Sequence, residues 1–338
     1  MRILVVGAGY WGPHVVRNLV ELSQVEAIGI SDLDQTKADR LAFRFPRTHV
    51  VKAAPEAFRG GYDAAIIATP VHTHAALAQT ALEAGLHVIV EKPFTRTSAE
   101  AQMLIAEAER LDRRLMVGHV FHYKPAVRAL AELVKSGELG RIQYMDSIRV
   151  NLGLFRPDVN VLWDLAPHDL SIFEALTGRM PMRVCAVGAR HVPHPTAKQE
   201  TMIYLTMDYG DEMVAHVHVN WFSPLKQRLM VIAGDRKMAV FDDIDYSEPI
   251  RVYDSGTYDP VADTPAYPAI RTGDVHIPQI KQEEPLRLQL EEFFSAINEH
   301  RAPQTDGYAG LRVVQILEAA MRSLREDGKF ILLSPPLS

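Results

Sequence analysis

The sequence has a single cysteine, Cys185, and no apolar run that approaches the roughly 18 residues of a membrane-spanning helix. One thiol cannot form an internal disulfide and is typical of a reducing compartment. The chain also lacks an excess of positive charge, because 36 Lys and Arg stand against 42 Asp and Glu. A net charge of −6 repels nucleic acid and acidic membranes. The apolar stretch Ile3–Val6 is too short for a signal peptide. We therefore expect a cytoplasmic protein without nucleic-acid or membrane partners.

The composition that remains is that of a folded globular protein. The chain has 338 residues, of which 47% are hydrophobic and 23% are charged. These values exclude disorder, collagen-like repetition and coiled coil. At about 150 residues per domain, the length predicts two domains.

Short apolar runs alternate with amphipathic stretches over the first 120 residues. Most runs are continuous, as in parallel strands that are covered on both faces. The predicted strands are Arg2–Val6, Glu26–Ser31, His49–Val51, Asp63–Thr69, His87–Val90 and Arg114–Gly118. Helices are predicted between them, at 13–22, 74–84 and 98–111 among others. Residues 1–120 should therefore form an α/β domain with a doubly wound parallel sheet.

Residues 121–338 follow a different pattern. After a predicted helix at 125–136, longer strands succeed one another with only turns between them, which is typical of an antiparallel sheet. These strands are predicted at 142–151, 201–209, 212–221, 229–233 and 238–242. The stretch 253–278, with its prolines and aspartates, reads as a long loop, and helices are predicted at 284–299 and 308–326. This second domain is predicted to be α+β.

The segment after the first predicted strand reads Gly7-Ala8-Gly9-Tyr10-Trp11-Gly12, a G-x-G-x-x-G string. In a dinucleotide site the first glycine permits a tight turn, the second lets the backbone approach a pyrophosphate, and the third lets helix and strand pack closely. Taken alone, the string fits a plain strand-to-helix turn equally well.

Asp32 lies at the end of the second predicted strand and favours the dinucleotide interpretation. A carboxylate at this position accepts hydrogen bonds from the ribose hydroxyls and repels a 2′-phosphate. The alternative is that Asp32 caps the next helix, a task that Asp34 can also perform. Together, the glycine string and the acid predict NAD rather than NADP as the cofactor.

Lys92 follows the fifth predicted strand in the string Glu91-Lys92-Pro93-Phe94. Ligands collect at the carboxyl ends of the strands of an open parallel sheet. Pro93 restricts Lys92 to an extended backbone, and the bond between them can adopt the cis form. This arrangement would direct an ammonium group into the ligand crevice, although a lysine at a strand end is more often a plain surface residue.

Asp164 and His168 are four residues apart, so a helix would carry both on one face. An imidazole can transfer a proton to or from an alcohol oxygen. Alternatively, Asp164 caps a helix and His168 has no chemical role. We favour the chemical role because a dinucleotide site needs a proton acceptor. His216 and His218 share one strand face without an evident third ligand, so we expect a polar sheet face or an oligomer interface and no metal site.

These motifs, in this order, resemble the Gfo/Idh/MocA family of glucose–fructose oxidoreductases and inositol dehydrogenases. Further matching segments are Ala68-Thr69-Pro70 with His74, Gly118-His119 to Pro125, Ser136–Gly140 and Thr305–Gly307. The resemblance implies a Rossmann domain joined to an α+β domain, whose large open, mainly antiparallel sheet often mediates homodimers or homotetramers. It implies that Lys92, Asp164 and His168 are the catalytic residues. The cofactor site that it implies comprises Gly7, Gly9, Tyr10, Trp11, Gly12, Asp32, Thr69, Pro70, His74, Glu91, Lys92 and His119.

Residues 151–160 and 163–169 look like a subgroup of sugar-nucleotide 3-dehydrogenases, whose relatives include enzymes that oxidise aminoglycosides. Two segments depart from many family members, which carry Arg-Phe at His122-Tyr123 and glycines at Val161–Trp163. The substrate contacts expected from this resemblance are Lys92, Tyr123, Asn151, Arg156, Asn160, Trp163 and His168. Arg156 either pairs with a phosphate or carboxylate of the substrate or is a solvated loop residue.

The expected activity is the NAD-dependent oxidation of a secondary ring hydroxyl to a ketone. The substrate is a sugar or sugar nucleotide, for example the 3-hydroxyl of a UDP-N-acetylhexosamine. In this hypothesis His168 is the general base, Lys92 stabilises the alkoxide, and Asp164 orients His168 or binds the hydroxyl. The alternatives are a dehydrogenase of an aminoglycoside or inositol-type polyol, a ketosugar reductase, and a non-catalytic dinucleotide-sensing regulator. A regulator would have no need of this set of proton-handling residues.

Overall fold

The computed structural model describes residues 1–153, 155–156, 158–192, 199–258 and 269–333. The chain divides into two compact units. The first is formed by Met1–Tyr123 with Glu283–Gln315, and the second by Lys124–Gln282 with Ile316–Ser338. This division differs from the predicted boundary at residue 120 because a late segment of the chain belongs to the first unit. The functional roles given to the two parts remain predictions.

The helices are listed here in chain order. They are α1 (Gly12–Glu21), α2 (Gln35–Arg44), α3 (Ala54–Ala57), α4 (His74–Glu83), α5 (Ser98–Arg110), α6 (Pro125–Lys135), α7 (Val161–Thr177), α8 (Pro285–Asn298) and α9 (Gly307–Arg325). Short 3₁₀ turns lie at Val71–Thr73 and Val120–Tyr123. Among the described residues, no helix combines the length and the apolar character that crossing a membrane requires.

The first unit contains a six-stranded parallel sheet in the order β3-β2-β1-β4-β5-β6. Its strands are β1 (Arg2–Val6), β2 (Ala27–Ser31), β3 (Thr48–Val50), β4 (Ala64–Ile67), β5 (His87–Glu91) and β6 (Leu115–Gly118). The order reverses beside β1, as in a doubly wound fold. All six strands coincide with predicted ones to within a few residues, so the predicted α/β class of this unit is confirmed.

Helix α8 explains why the late segment belongs to the first unit. Its apolar face buries Leu286, Leu290, Phe293 and Phe294 in the same hydrophobic cluster as Ile3 of β1. This burial removes two phenyl rings from water, and each fully buried large apolar side chain contributes about 1.5–3 kcal/mol. The packing of α8 into the core of the first unit was not predicted, because α8 lies far from β1 in the sequence.

The second unit contains a nine-stranded sheet in the order β14-β13-β12-β11-β7-β10-β9-β8-β15. Its strands are β7 (Ile142–Leu152), β8 (Arg183–Ala189), β9 (Met202–Gly210), β10 (Met213–Asn220), β11 (Phe222–Gly234), β12 (Met238–Asp242), β13 (Ile250–Tyr258), β14 (Ala269–His276) and β15 (Ile331–Leu332). Neighbours are antiparallel except β7 and β10, which are parallel. The prediction of a large, mainly antiparallel sheet is confirmed.

Side chains of this sheet alternate between its two faces. On β7, Met145, Ser147 and Arg149 are buried, whereas Tyr144 is 37% exposed. Helix α7 packs against β7, β9 and β10 on the buried side. The helix that carries two of the predicted reactive residues is thereby seated on the centre of the sheet.

The predicted loop at 253–278 is partly wrong. Strand β13 extends through its first residues, and β14 occupies its last part. Residues 259–268 of this stretch, like Leu154 and Pro157 in the predicted substrate segment, lie outside the described residues. Strand β14 lies at the edge of the sheet, and its Ile270 is 81% exposed. An edge strand need not show the alternation of apolar and polar residues by which strands are recognised in a sequence. The prolines and aspartates of this stretch therefore led to the prediction of a loop.

Candidate active site

The glycine loop has the geometry that a dinucleotide requires. Gly7 has a φ of +107°, and a Cβ there would lie 2.5 Å from the carbonyl oxygen of Ala68. A Cβ on Gly12 would lie 2.2 Å from the carbonyl oxygen of Gly7. At Gly9, by contrast, no heavy atom of the described residues beyond its chain neighbours lies within 4 Å of the Cβ position. The tight turn requires a glycine at position 7, and the packing of the helix requires one at position 12. Gly9 leaves the backbone accessible to a ligand.

Helix α1 begins at the end of this loop, with Pro13 in its first turn. Within the described residues, no side chain caps its amino-terminal N–H groups. Such N–H groups, together with the helix dipole, bind phosphate favourably. The loop therefore fits the pyrophosphate of a dinucleotide.

The carboxylate of Asp32 is held by two backbone N–H groups. Ala8 donates to Oδ2 at 2.6 Å, and Asp34 donates to Oδ1 at 2.7 Å. Each carboxylate oxygen has a second lone pair, so both can still accept a ribose hydroxyl. The cap of α2 is Asp34, whose side chain accepts from the N–H groups of Thr36 and Lys37. The carboxylate of Asp32 thus lies beside the glycine loop with the charge that disfavours a 2′-phosphate.

Glu91, the last residue of β5, is buried beside the glycine loop. Its Oε1 accepts a hydrogen bond of 2.6 Å from the indole Nε1 of Trp11. Burial raises the pKa of Glu91 to about 7, against the lowering effects of Trp11 and Lys92. A Cβ on Gly118, at the end of β6, would lie 2.8 Å from Oε2. The sequence predicted Trp11 and Glu91 as residues of the cofactor site but not the hydrogen bond between them.

Lys92 follows directly, half-buried at the carboxyl end of β5. The Lys92–Pro93 peptide bond is cis, the form that the sequence allowed. Its backbone N–H points to Oε2 of Glu91 at 3.3 Å. The lysine therefore stands at the edge of the parallel sheet where ligands of such folds collect.

The buried His74 contacts the backbone that follows β4 and β5. Its Nε2 lies 2.8 Å from the carbonyl oxygen of Thr69, and its Nδ1 lies 2.9 Å from that of Pro93. Burial is the main influence on the pKa of His74 and lowers it. Because the ring is buried and both nitrogens face backbone carbonyls, His74 positions the ends of β4 and β5, and its contact with the cofactor stays a prediction. Pro70 and Thr69 remain predicted contacts.

His119 differs from His74 in its surroundings. It is buried after β6, and neither ring nitrogen has a hydrogen-bond partner among the described residues. Burial, with smaller contributions from His122 and Lys92, lowers the pKa of His119 to about 3. The ring is therefore neutral at physiological pH and offers one donor and one acceptor. Buried polar atoms are normally paired, so His119 fits a polar group of a bound cofactor.

In the second unit, α7 carries Asp164 and His168 one helical turn apart, as the spacing predicts. Asn160 caps this helix, because its Oδ1 accepts from the N–H of Trp163 at 3.2 Å. The amide of Asn160 also donates to Glu200 at 2.9 Å, and the residue is buried. The side chain of Asn160 therefore orders the start of the helix, and its contact with the substrate stays a prediction.

The carboxylate of Asp164 is held from two sides. Trp221 donates its Nε1–H to Oδ2 at 3.1 Å, and Nη1 of Arg156 lies 3.5 Å from Oδ1. Arg156 also makes two hydrogen bonds to Asp158, at 3.1 and 3.0 Å. The guanidinium of Arg156 thus pairs with two carboxylates of the chain itself. The sequence had suggested a pairing with a phosphate or carboxylate of the substrate. Sequence reasoning missed Trp221, which it took only as one residue of an alternating strand.

Tyr123 is not available to a substrate. The side chain is fully buried, and its hydroxyl lies 3.0 Å from Oγ1 of Thr305. Thr305 in turn donates to the carbonyl oxygen of Val117 at 2.8 Å. The predicted substrate contact of Tyr123 is therefore corrected to a role in the core of the first unit. Of the remaining predicted contacts, Asn151 and Trp163 are both half-buried, on β7 and in the first turn of α7.

The two histidines of β10 lie on the face of the nine-stranded sheet that is opposite to α7, which we call the open face. Nδ1 of His216 lies 3.0 Å from the hydroxyl of Thr206, and the ring of His218 stacks on Tyr204 with centroids 4.1 Å apart. In the part of the chain that the structure describes, no three His, Cys, Asp or Glu residues are grouped so that they could hold a metal ion.

A doubly wound parallel sheet with this glycine loop and this acid defines a dinucleotide-binding domain. Residues 1–119 match the family described as an oxidoreductase family with an NAD-binding Rossmann fold, and residues 127–240 match the GFO/IDH/MocA C-terminal domain. The chain belongs to the GFO/IDH/MocA family, as its motifs suggested, and its cofactor is NAD.

Similar proteins support the same assignment. The chain is 30% identical over 320 residues to a UDP-N-acetylglucosamine 3-dehydrogenase of Acidithiobacillus ferrooxidans, which covers 93% of this chain and 94% of the relative. A solved structure of UDP-N-acetylglucosamine 3-dehydrogenase from the same organism has a TM-score of 0.79 at 27% identity and covers 96% of this chain and 99% of that one. Inositol 2-dehydrogenase 1 of Saccharopolyspora erythraea is 26% identical over 65% of this chain and 67% of its own length. The protein is therefore an NAD-dependent dehydrogenase that acts on CH–OH groups.

Proposed function

We propose that the protein oxidises a secondary ring hydroxyl of a sugar nucleotide, for example the 3-hydroxyl of a UDP-N-acetylhexosamine, to a ketone. The observation that carries this proposal is the pair Asp164 and His168, one turn apart on α7, with the carboxylate fixed by Trp221. Similarity to a UDP-N-acetylglucosamine 3-dehydrogenase over 93% of the chain supports the substrate class.

In this proposal the first unit binds the cofactor and the second binds the sugar. Bound NAD supplies the acceptor for the hydride that leaves the ring carbon. His168 takes the proton of the hydroxyl through an imidazole nitrogen, and Lys92 stabilises the negative charge that develops on the same oxygen. Asp164 is a fixed acceptor beside this base, because Trp221 orients its carboxylate.

The test is a panel of candidate substrates with the purified protein and NAD. We expect the absorbance of reduced nicotinamide to rise with UDP-N-acetylglucosamine or UDP-N-acetylgalactosamine, and mass spectrometry to find a product lighter by two hydrogens. Inositols, aminoglycosides and free sugars form the comparison arms. Turnover confined to those arms would move the substrate to another class. Binding of NAD without turnover in any arm would contradict the proposed sugar-nucleotide substrate.

Lys92 has its own test within the proposal. The variant Lys92→Met removes the ammonium and keeps most of the volume, so hydride transfer measured in a single turnover should slow by about a hundredfold or more. The variant Lys52→Met, which changes an exposed lysine with only a surface ion pair to Glu56, is the matched control. Wild-type single-turnover rates in Lys92→Met would remove the lysine from the mechanism.

We propose further that the protein is a homodimer or homotetramer assembled through the open face of the nine-stranded sheet. That face presents large apolar side chains to solvent, among them Tyr144, Val187 and Tyr204, which are 37%, 64% and 52% exposed. Large apolar side chains exposed on one sheet face are typical of an interface. We also propose a cytoplasmic location, for which the single cysteine is the support.

A further inference from the structure

Arg149 and Asp169 form a buried ion pair beside the reactive residues of α7. Nε and Nη2 of Arg149 each donate a hydrogen bond of 2.9 Å to one carboxylate oxygen of Asp169. The two side chains are only 6% and 2% exposed. Arg149 lies on β7 and Asp169 follows His168 directly in the helix. The pair therefore joins the sheet to the helix at the residue next to the proposed base.

Asp243, which follows β12, extends this pair into a network. Its Oδ2 lies 3.8 Å from Nη1 of Arg149 and 3.2 Å from Nη1 of Arg228. Lys124 donates to its Oδ1. Asp243 thus has two cations besides Arg149, whereas Asp169 relies on the two strong hydrogen bonds from Arg149.

Stability alone gives little reason for such a network. Removing charges from water is costly, and apolar residues of similar volume often replace a buried ion pair without loss of stability. Two parallel hydrogen bonds do, however, fix the position and the rotation of a carboxylate more strictly than apolar contacts can. The geometry therefore favours a role in orientation.

Helix α7 has a weak point in the turn between its two proposed reactive residues. Pro167 lies inside the helix and has no N–H to donate to the carbonyl of Trp163. The backbone bond that would hold this turn is missing, so tertiary contacts must define its geometry. The ion pair of Asp169 is such a contact, two residues after the proline.

We infer that the Arg149–Asp169 pair positions His168 for proton transfer by fixing the turn of α7 that contains Pro167. The inference rests on the proposed function of His168. Arg149 and Asp169 are positioning residues in it, because they act through the helix.

The first experiment compares three variants of the full-length protein on the sugar nucleotide that the wild type oxidises. Asp169→Asn removes the charge and should lower kcat by about ten- to a hundredfold, with KM and the Kd of NAD within about twofold. The double variant Arg149→Met with Asp169→Leu leaves no unpaired charge, since Asp243 keeps Lys124 and Arg228. It should melt no lower than Asp169→Asn and still show the loss in kcat. Arg251→Met breaks two half-buried ion pairs, to Asp245 and Glu248, and should leave kcat unchanged.

A double variant with wild-type kcat would overturn the inference, because an apolar pair would then position His168 equally well. A loss of kcat that follows the melting temperature alone across the variants would overturn it too.

The second experiment needs no substrate, so it separates this inference from the proposed function. Hydrogen-exchange mass spectrometry of the peptide covering α7 should find faster exchange at 163–169 in Asp169→Asn and in the double variant than in the wild type. If the wild type oxidises no sugar, the proposed function fails and this measurement still decides whether the pair orders the turn. Unchanged exchange in an active enzyme would overturn the inference alone.

Discussion

The indole N–H of Trp11 donates a hydrogen bond of 2.6 Å to Oε1 of Glu91. Trp11 belongs to the glycine loop, and Glu91 ends the strand that leads into Lys92. The carboxylate of Glu91 therefore links the glycine loop to the backbone of the proposed catalytic lysine, because its Oε2 faces the backbone N–H of Lys92 at 3.3 Å. Because Glu91 is also buried, its ionisation is coupled to the stability of this part of the fold.

Substituting Glu91 by glutamine should stabilise the protein at alkaline pH. Burial raises the pKa of Glu91 from 4.5 to about 7, so the folded state holds this proton more tightly than the unfolded state. The resulting stabilisation is complete below the unfolded pKa and is lost as pH rises through the folded pKa. The shift corresponds to about 3 kcal/mol. Glu91→Gln should therefore exceed the wild type by about that much near pH 8.5 and differ little near pH 4.5, as measured by urea unfolding without NAD.

The exposed Glu132 of α6 provides the matched control. Glu132→Gln should follow the wild-type pH dependence throughout. If Glu91→Gln and the wild type lose stability in parallel as pH rises through neutrality, Glu91 does not titrate in that range and the assignment of its pKa is wrong.

Asp32→Asn should narrow the preference for NAD over NADP. The substitution keeps the shape of the side chain but removes its negative charge. This charge repels a 2′-phosphate and strengthens the hydrogen bonds that the carboxylate accepts from the ribose hydroxyls. Hydrogen bonds to charged groups contribute about 1.5–3 kcal/mol, so the ratio of the two Kd values should change by about ten- to a hundredfold. Titration calorimetry with both cofactors measures this ratio. Asp34→Asn, which alters the cap of α2 two residues away, should leave the ratio as it is; an equal effect of both variants would argue against the role of Asp32.

The sequence was sufficient for features that are local in the chain. The apolar runs of the first unit are continuous because both faces of its sheet are covered, and this pattern located all six strands. The spacing of Asp164 and His168 likewise predicted one face of one helix, which α7 provides. In each case the pattern and the structure that it predicts span fewer than about twenty residues.

Contacts between distant segments could not be predicted in this way. Trp221 reaches Asp164 across 57 residues of sequence, and Thr305 reaches Tyr123 across 182. No periodicity links such positions, so Trp221 was missed and Tyr123 was assigned to the substrate. A single sequence contains the chemistry of these residues but not their partners.

The corrected role of Tyr123 leads to a simple prediction. Tyr123→Phe removes the buried hydrogen bond to Thr305, whose hydroxyl keeps its bond to Val117. The free energy of unfolding should fall by about 1 kcal/mol, while KM for the sugar stays unchanged. Urea unfolding and steady-state kinetics measure the two quantities. Tyr308→Phe, which loses only an exposed hydrogen bond to Glu109, should have a smaller effect on stability. A raised KM in Tyr123→Phe would return this residue to the substrate site.

The proposed interface predicts that a charge on the open sheet face lowers the oligomeric state. Tyr204 is 52% exposed and stacks on His218 on that face. Tyr204→Glu would bury an unpaired carboxylate in the interface, a cost of several kcal/mol that should shift the assembly toward monomers in light scattering after size exclusion. Phe43→Glu introduces the same charge at a 95% exposed position of α2 in the first unit and should have no such effect. A monomeric wild type would contradict the interface at once.

The most direct prediction concerns the proposed base. His168→Asn keeps a polar side chain of similar size but cannot accept the hydroxyl proton at neutral pH, and loss of a positioned general base typically lowers turnover by about 10²–10⁴-fold. Binding of NAD, measured by titration calorimetry, should be unchanged, since the glycine loop and Asp32 are untouched. His216→Asn, on the open face of β10 beside Thr206, tests whether the loss of any histidine has the same consequence. Equal turnover in His168→Asn and the wild type would mean that another group takes the proton, and the mechanism would have to begin from that group.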